Sequence, residues 1–115
     1  MDQELRGRLL AMPAEYRAQS LRLVSLAGYL AKGKAARDGY EAGLIAVETK
    51  EGGAINGSNE TIRKAQREAV LHGSTQLRDL DLYVTNTELD IKDAESRLSC
   101  LRFERDCLIA VANND

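Results

Sequence analysis

The side chains that could do chemistry in this chain are few, and their spacing argues against most of it. His72 is the only histidine in 115 residues, and the two cysteines, Cys100 and Cys107, stand seven positions apart. On a helix that spacing puts both thiols on one side but about 10 Å apart along the axis, too far to pair with each other. The expectation is two reduced thiols in or near a packed seam. His72 lies far along the helical pattern from both, so no metal site is expected. Glu88, Asp90, Asp93 and Glu95 lack the Glu-x-x-His pairs with which bundles hold two metal ions, and they read as a solvated or salt-bridged helix face. Gly-x-Ser-x-Gly and Cys-x-x-Cys patterns are absent from the sequence. The Gly-rich segment GGAINGSNET (residues 52–61) lacks the Lys-Ser/Thr ending of a phosphate loop and follows no predicted strand, so it reads as a turn. Catalysis needs polar groups converging in a concave site. This inventory points to a protein that is not an enzyme and that uses no cofactor.

Charge is the remaining chemistry, and it is segregated. From Tyr16 to Arg37 there are five basic residues (Arg17, Arg22, Lys32, Lys34, Arg37) and no acid. From Asp79 to Glu95 there are six acids, among them Asp79, Asp81, Glu88, Asp90 and Asp93, against one lysine. The simplest account is that the two segments face each other in an antiparallel pair. A second basic cluster, Arg63, Lys64 and Arg67, would extend the first along a phosphate backbone. Tyr16, Tyr29 and Tyr40 are available for stacking on bases, although Tyr16 and Tyr40 fall at core positions. The net charge of −2 lacks the basic excess of a general nucleic-acid binder.

These groups must be held by helices. Leu77, Leu80, Val84, Thr87, Ile91, Ala94, Leu98, Leu101, Arg105, Leu108 and Ala112 follow a 3-4 spacing without interruption, the heptad signature of a long helix over 75–112. A second seam runs Leu5, Leu9, Met12, Tyr16, Gln19, Leu23, Leu26, Leu30, Gly33, Arg37, Tyr40, Leu44, Val47. Pro13 disfavours helical geometry at Met12, which predicts a short helix over 2–11, a break, and a long helix over 13–50. Gly28, Gly33, Gly39 and Gly43 weaken the middle of that helix. They predict either a second break at Lys32–Asp38 or a close approach of another backbone, and the close approach is the preferred reading. Gly28, Ala31, Ala35, Gly39, Ala42 and Ala46 form a stripe of small residues at helical spacing, and it is this stripe that would let the other backbone come close.

Residues 51–59 are the connector. Gly52-Gly53 stops the first long helix, Asn56-Gly57 is a turn dipeptide, and Ser58 or Asn59 caps a short helix over 60–72. That helix carries Ile62, Ala65, Ala69 and Val70 on its expected apolar side, and Ser74 caps the last helix. The fold expected is an all-α, coiled-coil-like antiparallel hairpin of two long helices with short extra helices, in a single domain over 1–115. Two helices leave much of each seam uncovered, so a homodimer or higher oligomer is expected.

A long helix, an Asn-Gly-x-Asn-x-x-x-Arg-Lys-Ala connector (Asn56, Gly57, Asn59, Arg63, Lys64, Ala65) and a second long heptad helix resemble small helical proteins encoded by phages and prophages. The resemblance covers most of the chain in layout and the connector in residues. Ser58 stands where that group has Lys. It implies the hairpin fold and no established activity, so it assigns no functional residue.

The function expected is that of a non-enzymatic interaction module, a phage inhibitor of a host or defence complex that presents charged helix faces to a protein partner. Asp79, Asp81, Glu88, Asp90 and Asp93 are the candidate contacts. The alternative is a nucleic-acid-binding accessory factor in recombination or replication, acting through Arg17, Arg22, Lys32, Lys34, Arg37, Arg63, Lys64 and Arg67. The opening MDQELRGRLL carries charges where a signal peptide needs an apolar core, and no apolar run approaches the length of a membrane span. A cytoplasmic location without membrane contact is therefore expected.

Overall fold

The computed structural model describes residues 2–114. It is all-α, with helix α1 over Gln3–Thr49, α2 over Glu60–Gly73 and α3 over Thr75–Asn113, and no strand among the described residues. Helices α1 and α3 pair as a long antiparallel hairpin. Their contacts divide the chain into two units, Met1–Tyr29 with Thr87–Asp115, and Leu30–Asn86.

In the first unit the buried residues are Met12 of α1 and Thr87, Ala94 and Leu98 of α3. No break occurs at Pro13, which lies inside α1. Proline removes one N–H and so leaves the carbonyl four residues earlier without its helical partner. Two contacts offset that loss. Met12 is buried, and the Arg8 guanidinium spans the proline to reach Glu15 Oε1 at 2.6 Å.

In the second unit Ile55, Leu77 and Val84 are buried, and Gly33 is the point of close approach. A Cβ at Gly33 would sit 2.8 Å from Cδ1 and Cε1 of Tyr83 and 3.4 Å from Val84 Cγ2. So α1 is one helix through Lys32–Asp38, and the glycine on the seam makes the close contact. The stripe of small residues does not: Gly28, Ala31, Ala35, Gly39, Ala42 and Ala46 are all exposed.

The seams are occupied as the spacing predicts except near their ends. Val47 is 58 % exposed, while Glu48 beside it is half-buried. Arg105 is exposed, while Glu104 is half-buried. A straight helix of 3.6 residues per turn drifts about 20° per heptad away from a strict seven-residue repeat. That drift brings Glu48, one position after Val47, to the seam, whereas Glu104, one position before Arg105, is drawn in by Arg8 of α1, which donates to both of its carboxylate oxygens. The cysteines are likewise off the seam: Cys100 and Cys107 are both exposed.

The connector closes as a hydrogen-bonded latch. Gly52 takes φ +84° after the end of α1, a left-handed conformation that a Cβ would strain. The Gly53 N–H then donates to Lys50 O at 2.8 Å, and the Ile55 N–H to Glu48 O at 2.9 Å. Asn59 caps α2, accepting from Ile62 N–H at 3.0 Å, and Ser74 Oγ accepts from Leu77 N–H at the start of α3. The inward side of α2 is not the expected Ile62, Ala65, Ala69 and Val70. Arg63, Gln66, Arg67, Val70 and Leu71 are half-buried, whereas Ile62, Ala65 and Ala69 are exposed. The reason lies in the latch, which turns Gln66 and Arg63 toward the connector.

Candidate interaction surface

The candidate site is a distribution of charge along α1, α2 and α3. In the first unit Arg8 donates from Nε and Nη2 to the two carboxylate oxygens of Glu104, a bidentate pair. Hydrogen bonds from Arg8 hold the Glu104 carboxyl below the usual carboxylate range, and the two acids Glu104 and Glu15 hold the Arg8 guanidinium above its ordinary value. Arg22 Nη1 donates to Asp93 Oδ2 at 3.0 Å, and Arg97 Nε reaches the same oxygen at 3.0 Å. Those bonds, Arg22 first, lower the Asp93 carboxyl as well. Arg102 lies 5.5 Å above the Tyr16 ring centroid and donates to its hydroxyl at 2.7 Å. In the second unit Arg37 Nε stands 3.3 Å from Asp38 Oδ1 and 3.8 Å from Asp81 Oδ1. Arg22–Asp93 and Arg37–Asp81 are thus the facing basic and acidic segments anticipated from the sequence.

The cluster on α2 is engaged locally. Arg63 Nη1 donates to Gly57 O at 3.2 Å and Nη2 to Glu60 Oε2 at 3.3 Å. Arg67 also donates to Glu60, whose carboxyl is lowered chiefly by that bond. Gln66, unremarked in the sequence, is central to the latch. Its Oε1 accepts from Asn56 N–H at 3.0 Å and Gly57 N–H at 2.8 Å, and its Nε2 donates to Asn56 Oδ1 at 2.9 Å.

The candidate residues therefore separate into two groups. Arg22, Arg37, Arg63 and Arg67 among the bases, and Asp81 and Asp93 among the acids, are held in ion pairs within the chain. Arg17, Lys32, Lys34 and Lys64, and Asp79, Glu88 and Asp90, are exposed. None of these seven appears in an ion pair with another described residue. Tyr29 is exposed, while Tyr16 and Tyr40 are half-buried.

Two open grooves flank the hairpin in the first unit. One, of about 620 Å³, runs between Ala18 and Gln19 of α1 and Ser96 and Cys100 of α3, with charged residues at its ends. Gln19 Oε1 is buried there without a hydrogen-bond partner. The other, of about 440 Å³, is lined by Leu9, Met12, Pro13 and Tyr16 against Leu101 and Ile109. Among the described residues no three of His, Cys, Asp and Glu are grouped as metal ligands would be, and no helix is long and apolar enough to cross a membrane.

The chain matches no family model, no curated protein and no solved structure.

Proposed function

We propose that this protein is a non-enzymatic interaction module, of the kind that phages encode to inhibit a host or defence complex in the cytoplasm, and that it engages a basic surface of a protein partner through acidic positions of α3. One observation carries the reading. Half of the candidate bases are neutralised by acids of the same chain, whereas Asp79, Glu88 and Asp90 stay exposed without an ion pair. Acids left unpaired in this way steer association with a basic partner and discriminate against acidic ones. Asp81 and Asp93 from the original acidic set serve the hairpin instead.

The test is affinity capture from host lysate with the wild-type chain and with the triple variant Asp79→Lys, Glu88→Lys, Asp90→Lys, whose helicity is checked by circular dichroism. Loss of a specifically captured protein in the folded variant is the expected result. A capture profile that the variant leaves unchanged would overturn the acidic-face reading.

A second reading rests on Arg17, Lys32, Lys34 and Lys64, which are exposed and unpaired. A nucleic-acid accessory factor would use these four, since Arg22, Arg37, Arg63 and Arg67 are already engaged. Fluorescence anisotropy of labelled single-stranded and duplex DNA separates the two readings. Binding that weakens steeply with salt, as counterion release requires, would favour this one.

A further inference from the structure

A surface helix of a hairpin usually confines its apolar residues to the side it buries. Helix α1 does not. Its seam faces α3, yet its opposite side carries a second set of residues at 3-4 spacing: Arg17, Leu21, Val24, Gly28, Ala31, Ala35 and Asp38. All seven are exposed. Leu21 is 58 % and Val24 71 % exposed, large apolar side chains on a face that nothing in the chain covers. A Cβ at Gly28 would meet nothing within 4 Å, so the chain itself has no packing use for a glycine that weakens the helix.

The order of residues along this face is self-complementary under reversal. Leu21 stands seven residues before Gly28 and Ala35 seven after it; Val24 stands four before and Ala31 three after. At the ends, Arg17 lies eleven residues before Gly28 and Asp38 ten after. Turning a second copy end for end about Gly28 therefore sets each large apolar residue against an alanine and each arginine against an aspartate. Two-fold contacts require this property, because each residue must fit its counterpart on the same patch of the other copy. The glycine would lie at the axis, where two backbones come closest.

We infer that two copies of this chain pair antiparallel through the outer face of α1, about a two-fold axis at Gly28, with Arg17 of each facing Asp38 of the partner subunit. The stripe lies on one uninterrupted helix. This face is separate from the unpaired acids of α3, so the inference stands or falls apart from the partner-binding reading.

Sedimentation equilibrium over a wide concentration range, under reducing conditions, tests it with four proteins. Wild type is expected to be a dimer. Val24→Glu is expected to be monomeric with unchanged helicity, since Val24 makes no buried contact within the chain. Arg17→Asp and Asp38→Arg each set like charges across the axis and are expected to weaken the dimer about tenfold or more. The double variant Arg17→Asp, Asp38→Arg restores opposite charges and is expected to return the dimer to near wild-type strength. A wild-type chain that stays monomeric throughout would overturn the inference, and so would a dimer indifferent to Val24→Glu. Single charge reversals that the double variant fails to rescue would overturn the antiparallel register.

Discussion

At the scale of single residues, Gly33 and Gly39 show how the same amino acid in one helix serves different ends. A Cβ at Gly33 would lie 2.8 Å from the Tyr83 ring, whereas at Gly39 or Gly43 it would meet nothing within 4 Å. Replacing Gly39 or Gly43 by Ala should therefore raise stability by about 0.5–1 kcal/mol through helix propensity alone. Gly33→Ala should give no such gain, because the added methyl displaces the Tyr83 ring at a cost of about 1–3 kcal/mol. Thermal melting of the three variants checks this; a Gly33→Ala protein as stabilised as Gly39→Ala would show that the close approach is absent. The cysteines give a second residue-level prediction. Cys100 and Cys107 are exposed, so both thiols should react with a water-soluble disulfide reagent in the native protein, without denaturant. Protection of either one would mean that it is covered in solution.

At the scale of elements, the connector accounts for the motif that the sequence made conspicuous. Four of its residues, Asn56, Gly57, Asn59 and Arg63, have a local task. Asn59 caps α2, Asn56 and Gly57 are gripped by Gln66, and Arg63 braces the Gly57 carbonyl. A side chain at Gly57 would put its Cβ 2.8 Å from Ile62 Cβ and 3.0 Å from Gln66 Oε1. The pattern Asn-Gly-x-Asn-x-x-x-Arg is thus explained by turn and cap geometry, with no ligand required. Asn59→Ala should cost about 1 kcal/mol, the usual worth of an N-cap. Gln66→Ala should cost a similar amount, about 0.5–1.5 kcal/mol, since the Asn56 and Gly57 N–H groups lose their acceptor at a partly solvated site. Chemical denaturation measures both, and loss of either residue without effect would mean that the latch does not form. The cap was legible in the sequence, because Asn before an amphipathic run is a local signal. The role of Gln66 was not, because it depends on a chain reversal that brings position 66 back to position 56.

At the scale of the whole molecule, pH dependence follows from the ion pairs that join α1 to α3. The Glu104 carboxyl is lowered by Arg8, and the Asp93 carboxyl by Arg22 and then Arg97. A carboxyl lowered in the folded state adds stability that is fully present above its unfolded pKa, near 4, and is lost as the pH falls through the lower folded value. The melting temperature should therefore be flat from neutral pH down to about 5 and fall below about 4. Arg8→Gln should flatten that acid limb by returning Glu104 toward its ordinary range. An acid limb identical in the variant would remove Arg8–Glu104 as a cause.

The sequence by itself determined α2, α3, the end of α1, the caps and the hairpin pairing, because each depends on short-range signals: the 3-4 repeat of Leu77 to Ala112, Gly52-Gly53 after α1, Asn59 and Ser74 before α2 and α3. It also marked the two segments of opposite charge that now meet as Arg22–Asp93 and Arg37–Asp81. Tertiary structure alone decided the rest. Pro13 reads as a break because its local cost is visible, while the burial of Met12 and the Arg8–Glu15 bridge that offset it are contacts between turns and between helices. Glu48 takes the place expected of Val47 because a helix of 3.6 residues per turn drifts off a seven-residue repeat, and Glu104 is half-buried beside an exposed Arg105 because Arg8 of α1 grips its carboxylate. Which bases are free to meet a partner was decided there as well. A charge's availability depends on the acid across from it, and only the folded chain supplies that acid.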